Sequence, residues 1–434
     1  MNRKSPVTVA MTVWGAAVLW LLSAIAPASV TPALALELDG KEVPLHHVSS
    51  TRCKKCHENI YRQWKGSMHA QSTAFADPIH RAFYKNLVGD PGHEGLKHKA
   101  SGKYPVCLQC HAPNAAQDGK TKLDAIPSYK EGVNCVTCHR LKAYKGTKGP
   151  DGKLRLGMLA YEVADTCQGP SGFMDGTRPD SSEDEDRHNP HVRKMPYVSD
   201  PNATTAALPL ESNPMLLKTS EACLGCHDQR NNPNGVPLCQ TGSEYAHGKT
   251  FVTCQSCHMP VNNGFADHSM GGGHDLGMLK RSLVLTLNAK EGDGDSLSVD
   301  VSMRNLQPHK MPTGAPFRNL VMRLTAYDVD GQMVWSNFKT HPAQEDPRAY
   351  LTYTLADDAG KMAMPPVATK VGGDNRLDPY ENRVLTYAVP RQGTVLVRAE
   401  LYYSLLWPVL ANKMSFLPDH LRQGQQFAFA EVRL

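Results

Sequence analysis

The chain has 434 residues, of which 41% are hydrophobic and 21% charged. That excludes a polytopic membrane protein and a disordered chain. A balance of 47 basic against 42 acidic residues is too even for a nucleic-acid binder, so no nucleic acid is expected as a partner.

The chain opens with Arg3 and Lys4, an apolar run from Val7 to Ala26, and Ala33-Leu34-Ala35. This order reads as a secretory signal peptide over residues 1–35, with a mature chain from about Leu36. An uncleaved anchor is the competing reading, since about 20 apolar residues span a bilayer. Cys53 is the first cysteine, so no lipoprotein cysteine precedes it. The expected location is the periplasm, or outside the cytoplasm more generally, as a soluble or peripheral protein.

The unusual counts are twelve cysteines and nineteen histidines. Ten of the cysteines form five C-x-x-C-H units: Cys53/Cys56/His57, Cys107/Cys110/His111, Cys135/Cys138/His139, Cys223/Cys226/His227 and Cys254/Cys257/His258. Two thiols at this spacing reach the two vinyl groups of one porphyrin. The next residue then places an imidazole under the iron. Zinc ribbons do not need a histidine after each pair, and a thioredoxin-like motif is a single pair. Five covalent c-type haems are therefore expected, in a region spanning residues 36–280. Their propionates move the mature protein from weakly basic to weakly acidic.

The haem region shows weak periodicity and reads as short helices and loops around porphyrin faces. Its long interval after His139 holds the acidic run Ser181-Ser182-Glu183-Asp184-Glu185-Asp186, read as a solvated loop. From residue 281 the pattern changes. Leu283, Leu285 and Leu287 alternate with polar neighbours, then Leu297, Val299, Val301 and Met303. Val321–Val329, Met333–Trp335, Arg383–Val389, Thr394–Tyr402 and Phe427–Leu434 follow, with Gly/Asp turns between several of them. This is the signature of half-buried antiparallel strands. The expected class is α+β multidomain: a mostly helical and loop multihaem domain, then an immunoglobulin-like antiparallel β-sandwich over residues 281–434.

Five haems need at most five second ligands from the fourteen histidines outside the motifs. His69 follows Trp64-x-x-Ser67. His268 and His274 flank Met270-Gly271-Gly272-Gly273, where glycine permits close approach to a porphyrin. His309 lies in Pro308-His309-Lys310-Met311-Pro312-Thr313-Gly314, and His188 precedes the fourth haem. These five are taken as the ligand candidates. His191, His80 and His247 are weighed but not chosen, and His46, His47, His341 and His420 receive no role. Cys167 and Cys239 are left over, and in an oxidising compartment they are expected to pair as a disulfide.

These motifs in this order resemble the cytochrome c-554 family, with its broader cytochrome c-552/4 relatives. The resemblance rests on Cys53-x-x-Cys56-His57 with Trp64-x-x-Ser67-x-His69-Ala70, on Cys107-Leu108-Gln109-Cys110-His111-Ala112-Pro113, on Glu131-Gly132-Val133-Asn134-Cys135-Val136-Thr137-Cys138-His139 and on Cys254-Gln255-Ser256-Cys257-His258-Met259-Pro260. It covers roughly residues 50–280. It implies an exported electron carrier; the founding type holds four haems and lacks the long C-terminal domain.

Two functions compete. In the first, five six-coordinate haems carry electrons between redox proteins, with the C-terminal domain docking on a membrane or a larger redox complex. In the second, one haem keeps an open iron face for a small nitrogen or sulfur compound. All five motifs end in His, so the C-x-x-C-K mark of ammonia-forming nitrite reductases is absent.

Overall fold

Short helices, most of them containing a motif cysteine or a proline, build the first part of the chain; long strands build the rest. The computed structural model describes residues 36–38, 41–169, 208, 210–213 and 215–434. The expected signal peptide over residues 1–35, the acidic run 181–186, His188 and His191 lie outside the described residues. No helix among those described is long and apolar enough to cross a membrane. Residues 35–434 form one unit.

The first part holds helices Thr51–Lys54, Glu58–Gly66, Pro78–Leu87, Leu108–His111, Pro113–Gln117, Pro127–Lys130, Cys135–Cys138, Glu221–His227, Thr241–His247 and Cys254–His258. The described helices in this part run from four to ten residues. Proline opens three of them at the first turn, where its missing N–H costs nothing. Asp77 caps Pro78–Leu87 by accepting from the Ile79 amide at 2.8 Å. Sheet in this part is confined to two-stranded ladders.

Helix Leu276–Ser282 leads directly into the strands. These are β1 (Leu283–Glu291), β2 (Ser296–Asn305), β3 (Asn319–Tyr327), β4 (Met333–Ser336), β5 (Tyr350–Ala356), β6 (Lys370–Asp374), β7 (Asn382–Pro390), β8 (Leu396–Ser404) and β9 (Gln425–Arg433). One sheet has the order β1-β2-β7. The other has the order β6-β5-β3-β8-β9, with β4 also on β3. All of these pairings are antiparallel. Leu297, Val299, Val301 and Met303 from the first sheet share one core with Leu320, Met322 and Leu324 from the second. The architecture is thus α+β.

Sequence alternation finds seven of these strands and misses two. β5 is buried along almost its whole length, so it has no polar alternate positions. β6 is an exposed edge strand with two glycines, and its pattern carries no apolar face. The two parts of the chain are packed together. Ile79, from the helix that carries His80, sits in the β core, and Phe83 stacks on Phe317 at 5.4 Å.

Candidate haem sites

Each motif closes one helical turn. The amides of His57, His111 and His139 donate to the carbonyls of Cys53, Cys107 and Cys135 at 2.9, 3.0 and 3.0 Å. Residues three and four apart share a helix face, so this turn gathers two thiols and one imidazole. Asn134 and Thr253 cap the third and fifth motif helices, accepting from Thr137 and Ser256 amides at 3.1 and 3.3 Å.

The motifs are mutual neighbours. The Cys53 thiol hydrogen-bonds Cys135, Cys110 bonds Cys226, and Cys223 bonds Cys254. Cys138 also lies near enough to act on Cys223 and Cys226, so the five attachment points form one contiguous cluster.

Four motif histidines face a second histidine. His139 and His268 stack with ring centres 6.4 Å apart and 17° between planes. His258 and His309 lie at 6.5 Å and 21°, and His69 and His227 at 6.0 Å with rings crossed at 81°. An imidazole nitrogen sits about 2 Å from a bound transition metal, so two imidazoles on one iron place their ring centres roughly 6–6.5 Å apart. Three pairs have that spacing. His80 and His111 are tighter, at 4.0 Å. At that spacing the rings must part by about 2 Å to admit an iron, and what marks the pair is the buried Nε2 of His80, which has no hydrogen-bond partner.

In six of these eight histidines the other ring nitrogen is held by the backbone, whereas the buried Nδ1 of His69 has no hydrogen-bond partner. Nδ1 of His80 and of His111 both bond the Ser72 carbonyl, at 2.8 and 3.0 Å. Nδ1 of His139 bonds the Gln168 carbonyl, of His258 that of Gly271, of His268 that of Ala266 and of His309 that of Lys310. An N–H fixed on Nδ1 leaves the Nε2 lone pair for a metal. Burial pushes His69 and His80 down to about 4 and His227 to about 3, so all three are neutral imidazoles at ordinary pH.

The family described as cytochrome c554 and c-prime matches residues 52–140. The crystal structure of a penta-heme cytochrome c552 from Thermochromatium tepidum is 55% identical, with a TM-score of 0.85. The match covers 90% of this chain and all of that one. The chain belongs to this multihaem cytochrome c-554-like family. It carries five c-type haems, one at each C-x-x-C-H motif. No curated protein matches it.

In this cytochrome His69, His268 and His309 stand opposite motif histidines. His274 does not. It is exposed, with Arg318 and His420 close enough to act on its charge, and a side chain at the neighbouring Gly273 would meet the Tyr403 hydroxyl at 2.4 Å. His80, which the sequence reading did not choose, faces His111 instead. Its position beside the buried Ile79 and Tyr84 in an Asp-capped helix is the missed signal. Cys167 and Cys239 are both free thiols, so the expected disulfide is absent. Cys167 packs with Leu45, Val48 and Val136. Cys239 lies beside the His227 carbonyl and Thr241. The two belong to different neighbourhoods of the fold.

Proposed function

We propose that this cytochrome is an exported electron carrier whose irons are each held between two histidines, and that it shuttles electrons between two redox proteins. The observation that carries the reading is the set of four facing pairs: His111 with His80, His139 with His268, His227 with His69, and His258 with His309. When bound, the haems supply one-electron redox chemistry. The protein's part is to hold neutral imidazoles on both faces, keep water off them and fix their tautomers through backbone carbonyls. A small substrate then finds no vacant iron face at those four sites. For the remaining iron, at His57, the candidate read from the sequence is His188, which lies outside the described residues.

The C-terminal domain supplies His309, so it completes a haem site as well as offering a docking surface. We read its layers as an immunoglobulin-like sandwich. The orders β1-β2-β7 and β9-β8-β3 correspond to strands A-B-E and G-F-C. Export rests on the basic start, the apolar run and the small residues at 33–35.

Carbon monoxide tests the carrier reading on the fully reduced holoprotein. No change in the haem spectrum is expected, because both axial positions are filled. A stoichiometric carbonyl complex would move the reading to an open-site enzyme. Amino-terminal sequencing of protein from the periplasmic fraction tests export, with a start near Leu36 expected and Met1 contradicting it.

A further inference from the structure

His46 and His47 lie on one 3-10 turn, Leu45–His47, far in sequence from their common partner. Their rings are 4.4 Å apart. His46 Nε2 meets Asp118 Oδ1 at 2.8 Å, and His47 Nε2 meets Asp118 Oδ2 at 2.6 Å. The Tyr129 hydroxyl donates to the same Oδ2. His46 is 6% exposed, whereas His47 and Asp118 keep about a quarter of their side chains in solvent. One ligand atom from each of the three lies within 4.8 Å of the others. Neither histidine takes part in the four facing pairs.

We propose that His46, His47 and Asp118 form a non-haem metal site for a borderline divalent cation of the zinc(II) or copper(II) class. Two imidazoles and one carboxylate are the donor set those ions take, and a fourth position stays open to water. Calcium and magnesium call for oxygen ligands and are not favoured. A neutral imidazole needs only its Nδ1–H tautomer to free Nε2, so binding releases no net proton from the histidines. Metal–ligand bonds of about 2.0–2.1 Å hold tetrahedral donors roughly 3.3 Å apart. The present contacts therefore need to open by about half an ångström, and two of the three side chains border solvent.

The surroundings suit this use. Tyr129 holds the carboxylate in place from outside the ligand set, which is the usual support of such sites. The nearby cation is Arg140, whose guanidinium is engaged by Gln117. Its charge opposes the metal, and the Asp118 carboxylate offsets it. A bound ion would tie the segment entering the first haem motif to the helices Pro113–Gln117 and Pro127–Lys130. Those helices lie between the second and third motifs.

The test uses chelator-treated holoprotein titrated with zinc chloride by calorimetry, and with copper(II) by EPR. One site per chain is expected, with a copper spectrum coupled to two nitrogens. Asp118→Asn and His47→Ala should each weaken zinc binding at least about tenfold, with the haem spectrum unchanged. Replacing His93 and His98 together should leave binding as it is. Equal zinc binding in the parent protein and both variants would overturn the proposal and leave a hydrogen-bonded latch. Where a variant loses haem, the copper spectrum of the unmodified protein decides, and absence of two-nitrogen coupling overturns the proposal.

Discussion

Glu244 and Arg376 meet at 2.7 Å with both side chains withdrawn from water, 6% and 8% exposed. Glu244 comes from a haem-region helix and Arg376 from the segment after β6. The Thr313 hydroxyl donates to the second Glu244 oxygen. Arg376 also donates to Asp374 at 2.8 Å and to the Pro312 carbonyl at 3.2 Å. The network therefore grips the loop that follows His309. Breaking one partner of a buried pair costs about 3–5 kcal/mol, because the other charge stays buried. Asp374 still holds Arg376 in Glu244→Gln, so a loss near the low end, about 3 kcal/mol, is expected in denaturant unfolding. A loss below about 0.5 kcal/mol, typical of an exposed pair, would contradict this.

Gly132 touches the backbone that carries His69. Its φ is +69°, and a Cβ there would lie 2.4 Å from the His69 carbonyl and 2.5 Å from Ser72 Oγ. The neighbouring Val133 amide donates to that same carbonyl at 3.0 Å. Gly132→Ala should push His69 away from His227 and shift Ser72, whose carbonyl holds both His80 and His111. The expected result is a high-spin component in the absorption spectrum of the oxidised variant. A parent-like spectrum with an unchanged Tm would contradict it.

His274 predicts an acid-side loss of stability. Partial desolvation by its surroundings pushes it down to about 4, with the charges of Arg318 and His420 acting in the same direction. The unfolded chain binds its proton near the ordinary value of about 6.5, so the folded state is penalised as pH falls from about 6.5 toward about 4. The penalty grows across that window, is absent above it, and is screened by the solvent that reaches the exposed His274 side chain. His274→Gln should flatten the decline in stability between pH 6.5 and 4. An unchanged slope would show that His274 is already protonated or solvated in the fold.

His309 lies in the segment between β2 and β3 and faces a motif histidine of the haem region. His309→Ala should leave the iron at His258 without its second nitrogen, and His309→Met should keep that iron low-spin at a raised potential. Spectroelectrochemistry of the full-length variants measures both. Redox curves identical to those of the parent would place His309 outside the ligand set.

The five attachment sites were legible because covalent chemistry fixes their spacing within one helical turn. Second ligands come from elsewhere in the chain, so spacing says little about them. His69, His268 and His309 stood out by context, whereas His274 stood out only because glycines flank it. Of those glycines, Gly273 abuts Tyr403, whereas nothing lies within 4 Å of a Cβ at Gly272. His80 gave no such local mark. The strands with alternating burial, such as β2 and β8, were readable from pattern. The wholly buried β5 and the exposed β6 were not, because neither has two unlike faces. His46 and His47 received no role, since the partner that gives them one, Asp118, is 71 residues or more away.

Low-temperature EPR of the fully oxidised holoprotein, with spin quantitation and a haem-to-protein ratio, tests the carrier reading most directly. Five low-spin ferric centres per chain and no high-spin signal are predicted, since every iron is read as held by two imidazoles. About one high-spin haem per chain that responds to nitrite or cyanide would contradict it and point to an open iron site.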